Sequence, residues 1–313
     1  MMYLLIVPMV IAGSIEALLW KKNKHGPLDT MVVSAFWGFV LAAVVLPFTV
    51  IWNDNVFADI TGMTILYTVM VNVFTMICVA SWVMVLRNMP ISIANPISLV
   101  RIVFLLFFSW LIFGGSISIW EIVLVAAIFI LCSSLGYLQG RKSSPDSIVT
   151  ACCGPLGQCG PSCTVPQECT QNFTKGIAYM ILWVASLVAL EMFATAAIHG
   201  GIFPPTYVFI RFGLFFVMSV PLVFIFRSEV SKNPRVMFNR WLVGIGVLWA
   251  IASTFFNTLI RTLNVGIVSA MNTATVPIVV LGGVFIFREK IRWYSYIIIF
   301  MILACVVLLS LVV

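Results

Sequence analysis

The sequence predicts an all-α integral membrane protein, with ten transmembrane helices arranged as two inverted five-helix repeats. Three observations predict it. The first is composition: 313 residues, 62% hydrophobic and 9% charged, with a mean hydropathy of +1.16. Soluble domains carry about 25% charged residues. A soluble core cannot absorb this much apolar surface, whereas a bilayer can. The second is a series of apolar runs of membrane-spanning length. The third is a strongly alternating distribution of Lys and Arg between those runs.

The first run covers residues 3–20. It has no basic stretch ahead of it and no small-residue cleavage pattern, so it reads as a retained helix rather than a signal peptide. The runs 30–52, 64–86, 91–113 and 117–138 complete a first unit, residues 1–140. A Cys-rich linker, 141–174, follows. The second unit, 175–313, holds the runs 176–198, 205–226, 241–260, 266–287 and 293–312. Each is close to the roughly 20 residues a helix needs to cross the hydrocarbon core. None alternates as a barrel strand does, and an open sheet would leave backbone groups unpaired in lipid, so helices are expected.

The connections between odd and following even spans hold 14 of the 17 basic residues, among them Lys21, Lys22, Arg87, Arg141, Arg227 and Arg288. The other connections hold one, Arg261, and Arg101 and Arg211 lie inside spans. The positive-inside rule then places both termini outside and the linker in the cytoplasm. A missed span would scramble this parity, so the count also supports ten helices. A sequon at Asn172 offers a check, since a glycan there would invert the topology.

A shift of 174 residues superimposes landmarks of the two halves: His25-Gly26 on His199-Gly200, Pro47 on Pro221, Arg87 on Arg261, and Ile112-Phe113 on Ile286-Phe287. The spans of each half stay in register. Five is odd, so the second half enters the membrane upside down, as in many secondary transporters whose substrate sites lie at the midplane between repeats.

In the second half, "PPTYVFIRFGLFFVMSVPLVF" and "RTLNVGIVSAMNTATVPIVVLGGVFIFREKIRWYSY" resemble the EamA-type repeat of the drug/metabolite transporter superfamily. Pro205, Arg211, Pro277 and Glu289 take the places of that pattern's characteristic residues. The first half shares the layout but has Trp37, Val103 and Gly115 at the positions equivalent to Arg211, Pro277 and Glu289. The resemblance implies a central cavity lined by spans 1–4 and 6–9, with spans 5 and 10 peripheral. Many members of the superfamily keep both termini in the cytoplasm, unlike the orientation read from the charges here.

Four ionisable residues within spans stand out: Glu16, Arg101, Glu191 and Arg211. Each costs roughly 2.5–3.5 kcal/mol at mid-span unless a partner relieves it. Glu191 and Arg211 stand ten residues either side of Gly201, the tip of a hairpin, and so about 15 Å deep at a common level. They are expected either to form a structural salt bridge or to serve a substrate anion (Arg211) and a coupling proton (Glu191). Arg101 is the most isolated charge and is expected to line the cavity. Glu16 is a second coupling candidate, unless it snorkels to Lys21 or Lys22. The amides Asn72, Asn95, Asn257, Asn264 and Asn272 lie in or beside spans 3, 4, 8 and 9. Of these, Asn72, Asn95, Asn257 and Asn272 join the arginines and Glu191 as substrate-binding candidates. "AMNTATVPI" pairs an Asn with a helix-breaking Pro, a combination that lets irregular backbone line a cavity.

The primary functional expectation is a secondary transporter, exporter or exchanger, of a small polar or amphipathic metabolite. It needs no cofactor, and its partners are lipid and a small molecule rather than nucleic acid. No Walker A loop, zincin motif or serine-nucleophile elbow is present, so neither an ATPase engine nor a hydrolase is expected. The alternative is a thiol-dependent metal handler or sensor built on Cys152, Cys153, Cys159, Cys163 and Cys169 of the linker. Thiolates in a reducing compartment suit Zn²⁺ or Cu⁺, but the spacing is not a paired CxxC pattern.

Overall fold

The structure, a computed structural model, describes all residues except 1, 23–24, 53–56, 58–59, 89–97, 115–117, 141–164, 226–233, 288–292 and 313. Residues 2–3, 21–22, 50–52, 86–87, 135–140, 165–173 and 283 are described by their backbone alone.

All regular structure among the described residues is helical. A 3-10 turn, Met2–Leu5, leads into α1 (Ile6–Lys22), followed by α2 (Pro27–Trp52), α3 (Gly62–Asn88), α4 (Val100–Phe113) and α5 (Ile119–Gly140). The second half comprises α6 (Val165–His199), α7 (Pro204–Ile225), a 3-10 turn at Pro234–Phe238, α8 (Arg240–Ile260), α9 (Val265–Asn272), α10 (Thr275–Phe287) and α11 (Trp293–Val312). Seven described helices are long and apolar enough to cross a membrane, with Val265–Ile286 taken as one. Ile6–Trp20, Val100–Phe113 and Ile119–Ser134 are shorter apolar helices. Large side chains such as Phe48, Phe224, Phe300 and Leu311 are more than 60% exposed. Such a belt suits lipid rather than water.

Local chemistry sets the helix ends. Ser118 and Glu121 form a capping box at α5: the Ser118 N–H donates to Glu121 Oε2 at 2.8 Å, and the Trp120 N–H to Ser118 Oγ at 3.4 Å. Asn239 and Asn264 cap α8 and α9 by accepting the N–H groups of Trp241 and Gly266. Asn264 is therefore a cap and not a cavity amide. At the α6–α7 hairpin the left-handed residue is Gly201, φ 101°, one position beyond the expected His199-Gly200 stop.

Two elements depart from expectation. The helix expected over 176–198 begins at Val165, so the backbone of Cys169 and Asn172 is helical rather than linker. Pro166 fits a first helical turn, and no Gly or Pro follows before Gly176. The span expected over 266–287 is two helices, α9 and α10. Pro277 has no N–H for the Thr273 carbonyl, which takes the Val276 N–H at 2.9 Å instead.

The described helices pack as α1 on α8 and α10, α2 on α7 and α8, α3 on α6 and α7, α4 on α6 and α9, and α5 on α11. Glycine permits the closest crossings. A Cβ on Gly246 of α8 would lie 2.6 Å from the Ser34 carbonyl oxygen of α2, a backbone contact that cannot swing aside. Gly246→Ala is therefore expected to cost about 1–3 kcal/mol through overpacking, read as a lower unfolding temperature in detergent. Gly62→Ala, with open space around it, should show no such loss.

Candidate functional site

A cavity of about 300 Å³ lies between the helices of the two halves. Residues of α1, α3 and α4 line it from one half and residues of α6–α10 from the other. α2, α5 and α11 contribute none. Six of the residues singled out from sequence face it: Glu16, Arg101, Glu191, Arg211, Asn257 and Asn272. Asn95 lies outside the described residues. Asn72 is fully buried on α3 and does not line the cavity. The Asn72 amide nitrogen and oxygen both lack a hydrogen-bond partner within the protein.

The charges pair differently from the hairpin argument. Glu191 of α6 meets Arg101 of α4, with Nη1 and Oε1 4.0 Å apart, rather than Arg211. That separation is an ion contact without a hydrogen bond. The other Glu191 oxygen accepts the Ser269 hydroxyl of α9 at 2.5 Å. The Arg101 guanidinium lies 5.9 Å from the Trp183 ring centre, and Trp183 packs on Trp82 at 4.7 Å. Arg101 Nε has no acceptor in the protein.

Arg211, on α7, reaches across to α3, where its Nη2 donates to Thr75 Oγ1 at 3.5 Å, the outer limit of a hydrogen bond. Its guanidinium also lies 5.6 Å from the Trp249 ring centre and 5.8 Å from that of Phe212. No described carboxylate forms an ion pair with it. Glu16 faces inward, accepting the Trp20 indole N–H at 3.1 Å on the same helix. It lines the cavity; the side chains of Lys21 and Lys22, its alternative partners, lie outside the described residues.

The break between α9 and α10 opens onto this cavity through Asn272, Thr273 and Thr275. Gly13 of α1 admits it closely, since a Cβ there would meet the Thr275 methyl at 3.2 Å. Asn257 donates to the Ser253 carbonyl at 2.6 Å and keeps Oδ1 without a protein partner. Sequence reasoning missed Trp20, Thr75 and Ser269. Trp20 stands one helical turn from Glu16, and Ser269 three residues before Asn272, so spacing pointed to both.

The alternative metal site is not supported. Cys152, Cys153, Cys159 and Cys163 lie outside the described residues, as does the side chain of Cys169. Among the described residues no group of three His, Cys, Asp or Glu side chains is placed to hold a metal. His25 and His199 sit apart: Asn239 Nδ2 bonds His25 Nε2 at 3.0 Å, while His199 Nε2 contacts the Ile260 carbonyl at 3.1 Å.

The helices long and apolar enough to cross a membrane enclose a cavity that holds charges of both signs, and ionisable residues at such depth mark a functional site. Residues 174–311, the second half of the chain, match the EamA-like transporter family. No curated protein matches the chain. A solved structure described only as "Crystal structure of protein" shares the fold, with a TM-score of 0.64 and 12% identity over 99% of this chain and 96% of that one. Proteins of the matched family are membrane transporters of small molecules and not enzymes.

Proposed function

We propose that the protein is a secondary transporter, exporter or exchanger, of a small polar or amphipathic metabolite carrying an anionic group, moved by alternating access. The observation that carries this reading is a pair of arginines, Arg211 buried and Arg101 largely buried, that face one cavity with unused N–H donors. Arg101 has an ion contact too long for a hydrogen bond and an orphan Nε. Arg211 has one limiting contact and no carboxylate. Buried donors in this state favour an incoming anion. Trp20, Trp249 and Phe256, which also line the cavity, suit the apolar part of an amphipathic solute.

The arrangement of two inverted five-helix repeats, 1–140 and 175–313 joined by 141–174, is supported by the packing. Exchange α1 for α6, α2 for α7, α3 for α8, α4 for α9–α10 and α5 for α11. The contact α1–α8 becomes α6–α3, α2–α8 becomes α7–α3, and α1–α10 becomes α6–α4. The contacts α2–α7, α4–α9 and α5–α11 map onto themselves. At the α2–α7 crossing the match reaches residues. Phe212 fills the space beside Gly38, and Phe39 the space beside Gly213. Each residue thus adjoins the position 174 away from its neighbour's partner, as a two-fold axis through that crossing requires. Leu99, in the turn before α4, and Thr273, in the break before α10, are also 174 apart, and both line the cavity. Two equivalent halves meeting at a central site can rock about it.

The test is uptake of a panel of labelled organic anions, zwitterions and cations into liposomes containing the full-length protein. Anion or zwitterion flux that Arg211→Ala abolishes is the expected result. Flux confined to cations, or none for any solute, counts against the reading. Intact cells test the orientation read from the charges, both termini outside and linker cytoplasmic: an epitope at either terminus should be accessible to antibody from outside.

A further inference from the structure

Below the cavity, α3 carries a second polar feature that the binding groups do not explain. Thr64, Thr68, Asn72 and Thr75 recur at helical spacing, and all four are at least 98% buried. Thr68 and Thr75 return their hydroxyl protons to the carbonyls of Thr64 and Val71, one turn back, so each oxygen keeps acceptor capacity. Asn72 keeps everything: neither its NH₂ nor its carbonyl has a protein partner at zero exposure. On α7 the same holds for the hydroxyl of Tyr207, also fully buried.

The register of α3 against α7 places these groups on one level. The Arg211–Thr75 contact ties the two helices together. A Cβ on Gly200, at the tip before α7, would lie 3.7 Å from Thr64 Oγ1, so both helices begin at the same end and run the same way. Asn72 is three residues before Thr75 and Tyr207 four before Arg211. At 1.5 Å per residue both sit about one turn from the Arg211–Thr75 contact, toward the His199 end. Unpartnered buried amides and hydroxyls are costly and demand an explanation, and two at one level, next to the cavity's unpaired arginine, define a common place.

We infer that Asn72 and Tyr207 form an inner station for the polar group of the solute, shut in this conformation and opened when the halves rock to the other side. The route runs from Arg211 past Asn72 and Tyr207 along Thr68 and Thr64 to the His199 end. The inference rests on the transporter reading and adds a second site to it. Asn72 supplies two donors and an acceptor, and Tyr207 one of each, so the station suits a carboxylate or phosphate handed on from Arg211.

Accessibility tests it without knowledge of the solute. In full-length protein whose eight native cysteines are replaced by Ala, the variants Asn72→Cys, Thr68→Cys and Ile128→Cys are reconstituted and treated with membrane-impermeant methanethiosulfonate ethylsulfonate. All three positions are fully buried here, and Ile128 belongs to α5, which does not line the cavity. The expected result is modification of Asn72→Cys and Thr68→Cys at least ten times faster than Ile128→Cys. Rates equal to that of Ile128→Cys overturn the station, and they leave the transporter standing if Arg211 still governs flux in the uptake assay. Fast modification in a protein that moves no solute overturns both.

Discussion

Arg211→Met is expected to lower solute flux by about 30-fold or more while leaving the unfolding temperature unchanged or higher. The two effects have one origin. A charge inside a span costs roughly 2.5–3.5 kcal/mol, and Arg211 recovers little of it: a 3.5 Å contact to Thr75 and the faces of Trp249 and Phe212. A methionine of similar length keeps the packing against those rings and removes the charge. Substrate binding loses a buried charge-assisted contact, worth about 2–5 kcal/mol, which corresponds to a factor of about 30 upward. Arg211→Lys should fall between, since it keeps the charge and loses the fork geometry. Anion flux into liposomes and thermal unfolding in detergent read the two quantities separately. A protein that loses stability and flux together would place Arg211 in the structural framework instead.

Much of this site is legible in the sequence because charge is expensive in a membrane. Five charged residues lie within the expected spans; Glu121 caps a helix start, and the other four, Glu16, Arg101, Glu191 and Arg211, all face a common cavity. Irregular backbone near Asn272 and Pro277 was legible for a similar reason, since Pro277 removes a backbone donor, although the run reads as one span and not as the two helices α9 and α10. What the sequence did not convey is rotation about each helix axis. Depth along α6 and α7 gives Glu191 and Arg211 a common level, but the packing turns Glu191 toward α4 and α9, and Arg211 toward α3 and α8. Asn72 misses the cavity for the same reason, and Asn264 had a local task as a cap that its position beside a span concealed. The start of α6 at Val165 escaped because hydropathy marks the membrane boundary, not the end of the helix.

Breaking the Arg101–Glu191 pair should have the largest effect on stability. Arg101→Ala leaves the Glu191 carboxylate buried with a single hydroxyl, that of Ser269, and costs about 3–5 kcal/mol. Arg101→Ala combined with Glu191→Gln should restore most of that loss, because no uncompensated charge remains and the amide still accepts the Ser269 hydroxyl. The pair itself is a poor source of net stability: its atoms are 4.0 Å apart and Arg101 Nε is orphaned, so desolvation offsets most of the attraction. The double variant is therefore expected to unfold near the wild-type temperature yet transport poorly. Thermal unfolding of both single variants and the double forms a cycle whose interaction energy isolates the pair. An energy near zero would mean that Arg101 and Glu191 act independently, Arg101 through its stack on Trp183 and Glu191 through Ser269. A large one, with flux lost even when stability is regained, would mean that this loose ion pair is kept for what it does when a solute anion arrives: Arg101 exchanges Glu191 for the substrate and frees the carboxylate to take up a proton.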